Sequence, residues 1–109
     1  IQRWVRDFAE DAKFVSPTTE MSTAEEIFNA ATKAHETRTQ QGVKNRHYQS
    51  GVHIKDSDDG KVSVVSYVLV VMLDDSEAQP RLLSTVVRDE LVNEGRWIVR
   101  ARRISFDGQ

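Results

Sequence analysis

The stretch from Lys61 to Leu73 constrains this chain more than any other. It is dense in β-branched residues and apolar on both alternating faces, interrupted only by Ser63, Ser66 and Tyr67. Such side chains favour the pleated backbone, and a strand that is apolar on both sides must be covered on both sides. The run is too short to span a bilayer. It predicts a long central strand, covered by helices on one face and by a partner subunit on the other.

The flanking segments supply a sheet around it. Arg46 to Lys55 alternates, with Tyr48, Val52 and Ile54 on one face and His47, Gln49 and His53 on the other. Asp56-Ser57-Asp58-Asp59-Gly60 has the composition of a turn, and Asp74 to Pro80 that of a polar loop. Arg81 to Val92 and Arg96 to Asp107 read as two further strands, joined tightly through Asn93-Glu94-Gly95. Towards the start, Ile1, Trp4, Val5 and Phe8 recur at helical spacing, which predicts a helix from Ile1 to about Ala9. Lys13 to Ser16 reads as a short extended segment stopped by Pro17. Ser22 and Thr23 stand three residues before Glu25 and Glu26, a capping-box pattern. The helix that follows turns Ile27, Phe28, Ala31 and Ala34 inward and ends near Gln41, where Gly42 can take a left-handed conformation. Helices first and long strands in succession predict one α+β domain over residues 1–109, with a curved, largely antiparallel or mixed sheet forming a cone around an apolar hollow.

Composition removes several classes of function. The net charge is -2, and no stretch of the chain collects Lys and Arg, so nucleic acid is not an expected partner. There is no cysteine, which excludes disulfides, thiolate nucleophiles and sulfur-based zinc sites. No charged-then-apolar leader precedes the strands, and neither a membrane partner nor a cofactor is expected; the setting expected is cytoplasmic. The three histidines do not form a metal-ligand spacing.

Particular residues, taken in order, resemble the SnoaL-like family of the nuclear-transport-factor-2-like superfamily. They are Phe8-Ala9-Glu10-Asp11-Ala12, Ala24-Glu25-Glu26-Ile27, Arg46-His47-Tyr48, Ser66-Tyr67, Arg88-Asp89-Glu90-Leu91-Val92, Gly95-Arg96-Trp97 and Arg102-Arg103-Ile104-Ser105. The resemblance implies a cystatin-like roll with helices over its concave side. The chain opens on Ile1, inside what reads as a helix, so the likeness also implies a further helix upstream.

It implies a site as well. His47 resembles the histidine that serves as general base in scytalone-dehydratase-like and dehydrochlorinase-like relatives; imidazole can take a proton from carbon or oxygen in a dry pocket. Arg102, five residues after Trp97, resembles a pocket arginine that would steady a leaving anion or a developing enolate. In the dehydrochlorinase-like relatives an Asp on the first helix orients the histidine. Asp89 is the substitute available here, unless it pairs with Arg103 or Arg88. Tyr48 and Tyr67 could donate hydrogen bonds to a substrate, with Trp4, Phe28, Trp97 and Val87 as core or pocket wall. Ser16 precedes Pro17, and Val87 stands near the second position, where steroid-isomerase-like relatives place their two aspartates; that reaction is not expected. Gly51 replaces an Asn that many members carry four residues after the histidine.

Two functions are therefore expected to compete. One is a cofactor-free lyase or isomerase of the dehydratase type, acting on a small apolar or polyketide-like molecule. The other is a non-catalytic ligand-binding or assembly module resembling a ring-hydroxylating dioxygenase small subunit. Either predicts a homodimer or homo-oligomer formed through the sheet.

Overall fold

The computed structural model describes residues 6–56 and 60–107. In chain order they form β1 (Phe8–Val15), β2 (Glu20–Ser22), α1 (Ala24–Gln41), β3 (Val43–Asp56), β4 (Lys61–Asp74), β5 (Arg81–Asn93) and β6 (Trp97–Phe106). The strands make one sheet in the order β2-β1-β6-β5-β4-β3. Neighbours are antiparallel except β1 and β6, which run parallel. The α+β class and mixed sheet are those expected. Helix α1 touches β1 and β2 near one end of the sheet and β3 at the other edge. The helix thus crosses the sheet from one edge to the other, and long strands such as these twist and coil beneath it.

The helix is fixed at both ends. Thr23 donates its N–H to Ala12 O at 2.8 Å, and its Oγ1 accepts from Glu26 N at 3.2 Å. The Glu26 carboxylate in turn accepts from Ser22 N at 3.3 Å. The capping pattern is thus real, and it joins the helix start to β1. At the other end Gly42, at φ 71°, donates its N–H to the carbonyls of Arg38 and Thr39. A Cβ there would stand 3.0 Å from Asp75 Oδ2, so the C-cap is also closed against the loop after β4. Ile27 is fully buried, Phe28 and Ala31 are half-buried, and Ala34 is exposed. The expected inward face therefore fades along the helix, because its later turns stand over the open edge at β3.

The core gathers Phe8, Ala12, Met21, Ile27, Val92, Ile98 and Val99, with Phe14 and Leu91 packed against it. This corrects the expected N-terminal helix: Phe8 and Ala9 open a strand, while Ile1 to Val5, including Trp4, lie outside the described residues. Phe8 pairs with Val99 and Lys13 with Ala101, so β1 spends five residues where β6 spends two. That irregularity buries both Phe8 and Ala12 on the core side; of the four residues whose spacing predicted the helix, Phe8 alone lies among the described residues.

A second bulge lies in β3. Ser50 pairs with Tyr67 and His53 with Val65, three steps against two. The extra residue inverts the faces of everything after it. His47, Gln49 and Ile54 lie opposite Val70, Val68 and Val64, on the face that meets α1; Tyr48, Ser50 and His53 lie opposite Leu69, Tyr67 and Val65, on the outer face. The expected grouping of Tyr48 with Ile54 is overturned for this reason. Gly51 sits in the bulge at φ 59°, and a Cβ on it would stand 2.5 Å from Tyr67 Cδ2. Both the dihedral and the ring require glycine.

Gly51→Ala should destabilise the fold by more than about 1 kcal/mol. Chemical denaturation of Gly51→Ala, Tyr67→Ala and the double variant checks this: removing the ring should recover the steric part and leave the dihedral cost. Asp74 Oδ1 accepts from Ser76 Oγ at 2.7 Å and from Ser76 N at 2.9 Å. The hydroxyl first, then the amide, hold its carboxyl below the ordinary carboxylate range. A depressed folded value adds stability above the ordinary value, lost as pH falls through the folded one. NMR titration should show Asp74 protonating below its usual range in the native protein and returning toward it in Ser76→Ala.

Candidate functional site

Residues opposed across a pleated sheet share a face, so the register assigns each candidate to a side. On β5, Val87 opposes Ser66 and Ile104, and Asp89 opposes Val64 and Arg102. With His47 opposite Val70, the residues His47, Val87, Asp89 and Arg102 therefore occupy the hollow face, the one that meets α1. Tyr48 and Tyr67 stand on the outer face, 55% and 44% exposed. The sheet itself separates them from a molecule held with His47. Phe28 is half-buried on α1, and Trp97 is 51% exposed at the start of β6.

The tightest feature of the hollow face is an ion pair. Arg102 Nε donates to Asp89 Oδ1 at 2.8 Å and its Nη2 to Oδ2 at 3.0 Å, a bidentate fork. Both side chains are largely covered, at 22% and 11% exposure. The guanidinium carbon also lies 5.2 Å from the centre of the Phe8 ring. The alternative partners considered for Asp89, Arg88 and Arg103, face each other on the outer side, so register excludes them. Arg102 has five N–H donors and spends two on Asp89, which leaves others for a third group.

Around this pair the wall is polar at few points. Gln49 Nε2 donates to Ser66 Oγ at 2.9 Å, and Thr85 Oγ1 donates to Val68 O at 2.7 Å. Ser66 and Thr85 are buried, at 1% and 4% exposure. Their signal in the sequence is weak: single hydroxyls interrupting apolar strands, aimed inward.

His47 is exposed and lines a groove of about 490 Å³ with His35, Arg38, Asn45 and Asp75, between the end of α1 and the start of β3. Asp89 and Arg102 do not line that groove. The structure thus joins Asp89 to Arg102 and leaves His47 in contact with neither; among the described residues no carboxylate bonds to its ring. Asn45 Oδ1, beside it on β3, is buried without a hydrogen-bond partner among the described residues. Among those residues no group of His, Cys, Asp and Glu could hold a metal ion, and no helix is long and apolar enough to cross a membrane.

Removing one partner of a covered ion pair strands the other. Asp89→Ala should cost about 2 kcal/mol, discounted for the partial exposure of Arg102. Replacing both, as Asp89→Leu with Arg102→Met, should recover most of that loss. Thermal denaturation of the three variants reads it.

A family model described as a SnoaL-like domain matches residues 2–103. No curated protein sequence gives a significant match. Among solved structures, ActVI-ORFA from Streptomyces coelicolor superposes with a TM-score of 0.82 at 24% identity, over 98% of this chain and 82% of that one. A protein proposed to be a scytalone dehydratase, from Novosphingobium aromaticivorans, gives 0.77 at 19% identity, over 96% and 69%. The β subunit of benzoate 1,2-dioxygenase from Burkholderia mallei gives 0.80 at 10% identity, over 97% and 76%. At such identities the likeness is one of fold.

Proposed function

The chain belongs to the SnoaL-like family, and on that premise we propose that it is a cofactor-free lyase or isomerase of the dehydratase type. Its substrate is a small apolar or polyketide-like molecule held on the hollow face of the sheet. The observation that supports this reading is the sorting of side chains: His47, Val87, Asp89 and Arg102 share the face that meets α1. The fold is also that of ActVI-ORFA and of the scytalone dehydratase candidate.

In this reading His47 removes a proton from a carbon next to a carbonyl, and the imidazolium returns it to the leaving oxygen. Arg102, held in one orientation by Asp89, directs its remaining N–H donors at the developing anion. Val64, Val68 and Val87 give the substrate an apolar floor. The setting proposed is cytoplasmic.

The test needs no identified substrate. In deuterium oxide, the full chain should accelerate exchange of the acidic α-protons of β-tetralone, an aromatic ketone of suitable size, as followed by NMR. His47→Ala should lower that acceleration about a hundredfold. Exchange that is equal in both proteins would refute the role of His47.

A second reading draws on the outer face, where Tyr48, Tyr67, Leu69 and Leu82 are exposed. A ligand-binding or assembly module would bury them against another copy or a larger subunit and need no base. It predicts no exchange in the wild-type chain and a homo-oligomer in light scattering.

A further inference from the structure

We propose that the outer face carries an oxyanion-binding site, built by Arg88, Arg103 and Lys13, for a molecule bearing a carboxylate or phosphate on an apolar body. Arg88 on β5 and Arg103 on β6 are directly opposed in register. Lys13 lies on the next strand, opposite Ala101 and so diagonal to Arg103. Like charges directly opposed on neighbouring strands repel and destabilise the sheet that carries them. Arg88 Nη1 reaches only the Ser105 hydroxyl, at 3.4 Å. Neither Arg88 nor Arg103 has a carboxylate partner among the described residues.

The contrast with the adjoining positions is sharp. One residue along, Arg102 and Asp89 are opposed as unlike charges and form a fork. Glu90, two residues along β5 on the same face as Arg88, is engaged by Lys61 at 3.3 Å. Glu20 lies opposite Val15 and is the other carboxylate at the margin.

The three cations border a groove of about 460 Å³. Val15, Val65 and Ala101 line it with them; of the three carboxylates that also border it, Asp89 is held by Arg102 and Glu90 by Lys61, and Glu20 is the third, so an anionic head would meet two guanidiniums and an ammonium while an apolar body lies on the strands. Strand alternation brings these cations together from separate segments of the chain. It also sends Lys44, Arg46 and Lys55 to the outer face, although the net charge of the whole chain is -2. Those three lie on the edge strand β3, away from the groove, and serve as internal controls. The site is separate from the hollow face and does not rest on the proposed reaction.

The full chain is titrated with inorganic phosphate and, separately, with butyrate at constant ionic strength, following the side-chain N–H signals of arginine by NMR. Saturable shifts at Arg88 and Arg103 that weaken about tenfold in Arg103→Gln establish the site. A stronger response to butyrate assigns a carboxylate on an apolar body, and a stronger response to phosphate assigns a phosphate. In the absence of anion, Arg103→Gln should be slightly more stable than the wild type, and phosphate should raise the wild-type Tm more than that of the variant. Shifts of equal size at Arg46, or no saturable shift at Arg88 and Arg103, would overturn the proposal.

Discussion

The contact between Gly51 and the ring of Tyr67 governs which residues this sheet offers to its hollow. Tyr67 closes over a backbone that has no Cβ, and the left-handed dihedral at Gly51 inserts one extra residue into β3. A bulge both bends a strand and turns its later side chains over. Before it, His47 and Gln49 face inward; after it, Ile54 does, and His53 is sent outside. Without that inversion a histidine would replace an aliphatic side chain on the inner wall.

The same logic of alternation divides the chemistry between two faces. Inward charges are few and matched: Asp89 and Arg102 form a covered fork, and Ser66 and Thr85 have their hydrogen bonds met. Outward charges are many and unmatched at one place, where Arg88 opposes Arg103. A matched pair in a covered position is held rigidly and can present its remaining donors in a fixed direction. An unmatched pair at the surface keeps a standing preference for anions. One strand segment, Arg88-Asp89-Glu90, therefore serves both sides.

Much of the fold was legible. The two-sided apolar run of β4 announced a central strand, and it pairs on both sides along its whole length. The Thr23–Glu26 cap and Gly42 marked both ends of α1 correctly, because caps are local chemistry. What misled were the bulges. In β1, Phe8 completes an apolar spacing with Ile1, Trp4 and Val5 that looks helical but itself opens a strand with an irregular register; in β3 a single glycine reversed an alternation that otherwise read cleanly. The first depends on pairing with β6 at the far end of the chain and the second on the Tyr67 ring sixteen positions on, neither of which a local period reports. The three-residue β2 carries no pattern of its own and exists through its pairing with β1.

The candidate site was legible as residue types and only in part as geometry. His47, Asp89 and Arg102 were identifiable from likeness, but the partner of Asp89 follows from which residue opposes it, and that needed the register of β5 on β6. The tyrosines were plausible donors until the faces were assigned. The faces of β3 beyond Gly51 rest on the inversion at that glycine, and cross-strand nuclear Overhauser effects in the native protein measure it most directly. The account predicts contacts between His53 and Val65 and between Ile54 and Val64. Contacts between Val52 and Val65 and between His53 and Val64 would mean an unbroken ladder, and would contradict it.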